Sequence, residues 1–147
     1  MRAITIRQPH AWAIIHGGKD VENRSRNIAG TYRGPVAIHA GLAKYEQDNM
    51  SSRAHRAAHG TETPSVIVCG AIIGVGNLVD VHLDVDKGGM PCGGMDDMYR
   101  GHYCSPWAMP DHWHLTFDDM RPLATPIPYK GALGLWTLPD HVLDGAL

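Results

Sequence analysis

Three residues with complementary chemistry stand close together in the first part of the chain: Lys19, Glu22 and Arg24. A lysine in a partly buried cleft can lose its proton and act as a base, a carboxylate can activate water or hold that lysine, and an arginine can fix a phosphate or carbonyl oxygen. Those are the parts an amide hydrolase needs, with Lys19 and Glu22 as the catalytic pair. Regular strand alternation puts Glu22 and Arg24 on one face and Lys19 with Val21 on the other. A joint site therefore requires a bend near Gly18 or a curling lysine stem. The alternative is a Glu22–Arg24 surface ion pair worth about 0–1 kcal/mol, with Lys19 solvated.

Other residues suit a nucleic-acid ligand. Gln8 and Trp12 flank a helix start, where free N–H groups attract a phosphate or base carbonyl and an indole can stack a base; otherwise Gln8 satisfies the helix end and Trp12 is core. His39 ends a strand, facing a cleft or held as a satisfied structural histidine. Arg26 and Arg33 extend a basic run as candidate RNA backbone contacts, and Lys130 is a candidate phosphate contact at a cleft rim. Trp107, in Cys104-Ser105-Pro106-Trp107-Ala108, is either a lid over the cleft offering an aromatic platform or a plug anchoring a long loop. Cys92, His102, Cys104, His112 and His114 are zinc-type ligands, with His112 and His114 on one strand face, but their spacing matches no standard ligand pair, so no metal and no cofactor is expected.

These side chains need a scaffold, and the pattern is one of short, bent strands. Residues 3–7 alternate as a strand, Pro9 opens a two-turn apolar helix closed by Gly17-Gly18, and this helix must be buried, plugging the end of a barrel. Residues 19–24 and 34–40 read as strands, and 43–59 as an exposed helix or ordered loop. Residues 66–85 combine β-branched residues with Gly70, Gly74 and Gly76, as a bent strand pair with bulges would. A long excursion at 86–111 reads as a lid or binding loop, and strands return at 112–117, 122–127 and 134–138. The sum is one α+β, mainly β domain spanning 1–147, a small barrel with flanking helices. The absence of strand–helix alternation and of GxGxxG disfavours a doubly wound sheet.

Composition narrows the class. The chain has 147 residues, 44% hydrophobic and 19% charged, enough for a core without staples. It has no apolar run long enough for a membrane span or signal peptide, and three cysteines without a CxxC pair fit a reducing cytoplasm. The net charge of -2 conceals a basic first half and an acidic second half, implying either an anion-binding face or mutual attraction across the fold.

Three blocks together, Ile6-Arg7-Gln8-Pro9-His10-Ala11-Trp12-Ala13, Gly18-Lys19-Asp20-Val21-Glu22-Asn23-Arg24 and Arg33-Gly34-Pro35-Val36-Ala37-Ile38-His39-Ala40, resemble the ASCH domain family. So does the C-terminal stretch from Trp113 to Trp136, including Lys130-Gly131. The resemblance leaves out 41–65 and 86–105, and it implies a PUA-like barrel with a cleft for RNA or a modified nucleobase. Family members bind RNA, cleave it, or remove the acyl group from N4-acetylcytidine. In those amidohydrolases a threonine, the proposed nucleophile, stands where this chain has Glu22. Either water is activated through Glu22 and Lys19, or Ser25 or Thr31 substitutes, or the protein binds without cleaving. Binding of RNA or a modified nucleoside is the first expectation, with amide or RNA hydrolysis the alternative.

Overall fold

The computed structural model describes residues 1–44 and 67–146. Its elements are β1 (Arg2–Gln8), α1 (His10–His16), β2 (Val21–Arg24), β3 (Gly34–Lys44), β4 (Ala71–Leu83), β5 (Trp113–Pro128), β6 (Leu135–Thr137) and a final 3-10 turn (Asp140–Leu143). The molecule is mainly β, a single six-stranded sheet curled into a half-barrel. The strand order is β2-β5-β4-β3-β1-β6. Only the β1–β3 pairing is parallel.

The sheet is covered on both faces along β1, β3 and the first half of β4, which explains why these strands bury consecutive residues. Ile4, Ile6, Val36 and Ile38 pack on one side with Ile14 and Ile15 of α1. Ala3, Ala37, Ile72 and Val75 pack on the other with Leu138 and Leu143 of the C-terminal segment. As expected of an apolar helix, α1 buries Ala11, Ala13, Ile14 and Ile15. Its approach demands the glycine at 74, where a Cβ would lie 2.4 Å from Ile15 Cδ1 and 2.7 Å from the Arg121 carbonyl oxygen.

Two expectations need correction. The strand pair read over 66–85 is, from Ala71, one continuous strand of 13 residues, and the strands read at 112–117 and 122–127 are one strand of 16. The glycines bend the strand without reversing it: register against β5 shifts between Ile72 and Gly74, between Val75 and Asn77 and between Leu78 and Asp80. The helix or loop expected over 43–59 lies, from residue 45 on, outside the described residues, while Ala43 and Lys44 belong to β3. The long connection at 84–112 is present, with only the isolated bridges Val85–Pro91 and Met95–Gly101. Among the described residues, no helix is long and apolar enough to cross a membrane.

Candidate functional site

Where α1 ends, Gly17 stops the helix and Gly18 takes a φ of +68°, a left-handed conformation that glycine adopts without strain. This turn is the bend the joint site requires. It places Lys19 before β2 begins, so strand alternation does not govern it, and its stem folds back to donate to the Val21 carbonyl and, over 3.1 Å, to Glu22 Oε2. The other carboxylate oxygen, Oε1, accepts from Arg24 Nη2 at 3.2 Å. Arg24 Nη2 also donates to the Thr5 carbonyl at 2.9 Å, tying β2 to the middle of β1.

Lys19 is 3% and Glu22 9% exposed, so this is a buried charge cluster and not a surface pair. Each carboxylate oxygen carries one cation, as an ion pair withdrawn from water requires. Arg24 Nε is buried and, among the described residues, has no hydrogen-bond partner. Lys19 spends two of its three donors on Val21 and Glu22, which leaves one for a ligand oxygen.

The cluster lies against a cleft of about 560 Å³. Thr5 and Arg7 reach it from β1, His10 from α1, Asn23 and Ser25 from β2 and just beyond it. Leu42 and Leu133 line it while 81% and 96% exposed, as an apolar rim. Met109 and His112 bring in the 84–112 connection, which is fastened by Asn23: its Nδ2 donates to the Trp107 carbonyl at 2.9 Å and its Oδ1 accepts from the Met109 N–H at 2.9 Å. His10 is held below its ordinary value of 6.5, first by burial and then by the Lys19 charge, against an upward pull from Glu22. It therefore faces the cleft as a neutral imidazole near pH 7.

The expected site residues divide cleanly. Lys19, Glu22 and Arg24 meet in the cleft, together with Ser25 but without Thr31. Gln8 is not in its lining: it is 1% exposed, accepting from the Trp12 N–H at 2.9 Å and donating to the Val68 carbonyl at 2.7 Å. It thus consumes a helix-end donor that a phosphate would have used. Trp107 is buried in a cluster with Ala13, Val21 and Ala108, the partly buried Trp12 packs against it, and neither indole lines the cleft, the arrangement that the core and plug alternatives describe. His39 is buried, its Nε2 bonded to the Tyr129 carbonyl at 2.9 Å. Arg33 pairs with Asp80 at 3.2 Å away from the cleft, and Arg26 and Lys130 are exposed outside its lining.

Arg7 and His10 are among the cleft residues that were given no role from the sequence, as are Thr5, Asn23 and Met109. The signal for Arg7 was the alternation of β1: with Ile4 and Ile6 buried on one face, Thr5 and Arg7 share the other. The chain matches none of the known family models, and a search of curated proteins likewise finds no significant match.

Proposed function

We propose that this chain is an ASCH-type, PUA-like domain that binds RNA or a modified nucleoside in the cleft beside Lys19, Glu22 and Arg24. One observation carries the reading: three cations, Arg7, Lys19 and Arg24, line a single concave site in which Glu22 is the one carboxylate among the described residues. Such a cleft focuses positive potential and draws a phosphate or an oxygen-rich base. Its size falls within the usual range of about 300–1,000 Å³ for small-ligand sites. Leu42 and Leu133 supply apolar surface for a base face in place of the tryptophans.

The test is a titration of a short single-stranded RNA and, separately, of N4-acetylcytidine, followed by fluorescence anisotropy and calorimetry over a salt series. Three cations offset by the Glu22 carboxylate leave about two net phosphate contacts, a log–log salt slope of about -1.4 for a single strand. Arg7→Ala, in the cleft lining, flattens it by about 0.7, whereas Arg33→Ala, outside that lining, leaves it unchanged. A slope near zero, or equal effects of the two variants, refutes the reading.

A second reading rests on Ser25 and the Lys19–Glu22 pair sharing the cleft. In it, water or the Ser25 hydroxyl attacks the acyl carbon of an N4-acylcytidine, the C–N bond breaks, and the departing amine takes a proton. Attack by Ser25 leaves an acyl-serine that water then hydrolyses. Cytidine release from N4-acetylcytidine that disappears in Lys19→Ala and in Glu22→Ala establishes this activity, and no release by the native protein rejects it for that substrate.

A further inference from the structure

The connection at 84–112 poses a physical problem. None of residues 85–104 is buried, and Met95, Met98 and Tyr99 are 50%, 70% and 87% exposed. A segment this long without a core of its own needs another means of order. The backbone supplies part of it. Cys92 N–H donates to the Asp84 carbonyl at 2.8 Å, and Gly93 and His102 join the two arms of a small hairpin through bonds of 3.0 Å to the His102 and Gly94 carbonyls. The arms approach so closely that a Cβ at Gly93 would lie 2.4 Å from both His102 Nδ1 and the Tyr103 carbonyl oxygen. This hairpin brings Cys92 beside Cys104, whose N–H points at Cys92 Sγ over 3.2 Å.

Directly beneath, His82 of β4 and His114 of β5 are cross-strand partners, their rings 5.5 Å apart. The ligand atoms of His82, Cys92, Cys104 and His114 all lie within 4.8 Å of one another. Three sulfur-to-nitrogen separations are 3.4, 3.4 and 3.5 Å: His82 Nε2 to Cys104, His114 Nδ1 to Cys92 and His114 Nδ1 to Cys104. A tetrahedral zinc ion with Zn–S of about 2.3 Å and Zn–N of about 2.0–2.1 Å has sulfur-to-nitrogen edges of about 3.5–3.6 Å.

Both imidazoles are also turned the right way. His114 donates from Nε2 to the Met109 carbonyl at 2.8 Å, and His82 from Nδ1 to Asp80 Oδ2 at 2.8 Å. Each bond leaves the inward nitrogen with its lone pair toward the cysteines, the arrangement of a metal-ligating histidine supported by an outer carbonyl or carboxylate.

We propose that His82, Cys92, Cys104 and His114 bind one zinc ion as a closed, structural Cys2His2 site that fastens the 84–112 connection to the sheet. Two thiolates and two imidazoles suit zinc and not a hard cation such as magnesium or calcium. Four protein ligands leave no open position for catalysis. The consequence reaches the cleft, because Met109, whose carbonyl orients His114, lines it. This revises the expectation of no metal: the ligand set includes His82, and it omits His102 and His112.

The experiment uses the full chain without an affinity tag, reduced and purified without chelator. Elemental analysis should return one zinc per chain. Cobalt(II) added to the metal-free reduced protein should give the intense visible bands of a tetrahedral site, with a sulfur-to-cobalt charge-transfer band sized for two thiolates, and one equivalent of zinc should abolish both. Combined Cys92→Ser and Cys104→Ser removes the signal, while Cys69→Ser and His102→Ala retain it. Should the double variant fail to fold, the charge-transfer intensity of the native chain still counts the thiolates. Absence of stoichiometric zinc together with no tetrahedral cobalt spectrum overturns the proposal, as does a spectrum that survives in the double variant or lacks the thiolate band.

Discussion

Replacing Glu22 by glutamine removes a charge and almost no volume, so its cost reports on electrostatics. In the native protein the carboxylate divides its oxygens between Lys19 at 3.1 Å and Arg24 at 3.2 Å. The two cations differ in what they can do without it. The Arg24 side chain is 29% exposed and can rehydrate, whereas that of Lys19 is 2% exposed and keeps only the Val21 carbonyl and the weak acceptor of an amide. Stranding one partner of a buried pair typically costs about 3–5 kcal/mol. Relief through partial hydration puts Glu22→Gln near the lower end, about 3 kcal/mol.

With a urea m-value of about 2 kcal/mol/M, the midpoint should fall by about 1.5 M. Lys19→Met leaves Glu22 still paired with Arg24 and fills the same space with an apolar chain, so it should cost about 1 kcal/mol. The double variant strands no buried lysine and should be about 2 kcal/mol more stable than the sum of the two singles predicts. Urea unfolding of all four proteins at pH 7 completes the cycle. A Glu22→Gln midpoint within about 0.5 kcal/mol of native, or strict additivity, would refute the buried-cluster argument. The same variant separates the two functional readings: it makes the cleft more positive, so RNA binding at low salt should survive in the folded protein, while hydrolysis should be lost.

Two further outcomes follow from the packing around the cleft. Gln8→Ala leaves the Trp12 N–H and the Val68 carbonyl without their shared partner, and should destabilise by about 1–3 kcal/mol in urea unfolding while the RNA salt slope is unchanged; a changed slope would return Gln8 to the ligand site. Burial and Lys19 depress His10 in the folded chain, so below its ordinary value of 6.5 the unfolded chain takes up a proton the folded one resists. Its contribution to stability is present above 6.5 and is lost as pH falls toward the depressed folded value. The drop in urea midpoint between pH 7 and pH 5.5 should therefore be smaller in His10→Asn than in the native protein, and an equal drop would exclude His10 as its source.

What could be read along the chain was whatever depends on near neighbours. Pro9 and Gly17 bound α1 because one enters a helix without a lost bond and the other leaves it easily. The alternation of Ala3 to Arg7 marks β1, and the closeness of Lys19, Glu22 and Arg24 suggested a shared site. Gly18 was recognisable as the place where the chain must turn, and it does. Even the length of the 86–111 excursion was evident from its lack of any period.

The pairing of distant segments decided the rest. Glycines at 70, 74 and 76 look alike as turn or bulge residues, and only α1 and β5 packing against β4 show that the strand bends and continues at 74 and 76, while Gly70 precedes it. Trp12 among alanines and isoleucines already reads as core, but Trp107 reads as well as a stacking platform as a plug until the 84–112 connection folds back and brings the two together in one apolar cluster. His82 and His114 become neighbours only through the β4–β5 register, and Cys92 and Cys104 only through a hairpin above it. Ligand spacing is diagnostic when one turn or helix supplies a pair. Here each half of the cluster is closed across a loop, so the chain order carries the ligands and the sheet alone brings them within reach of one ion.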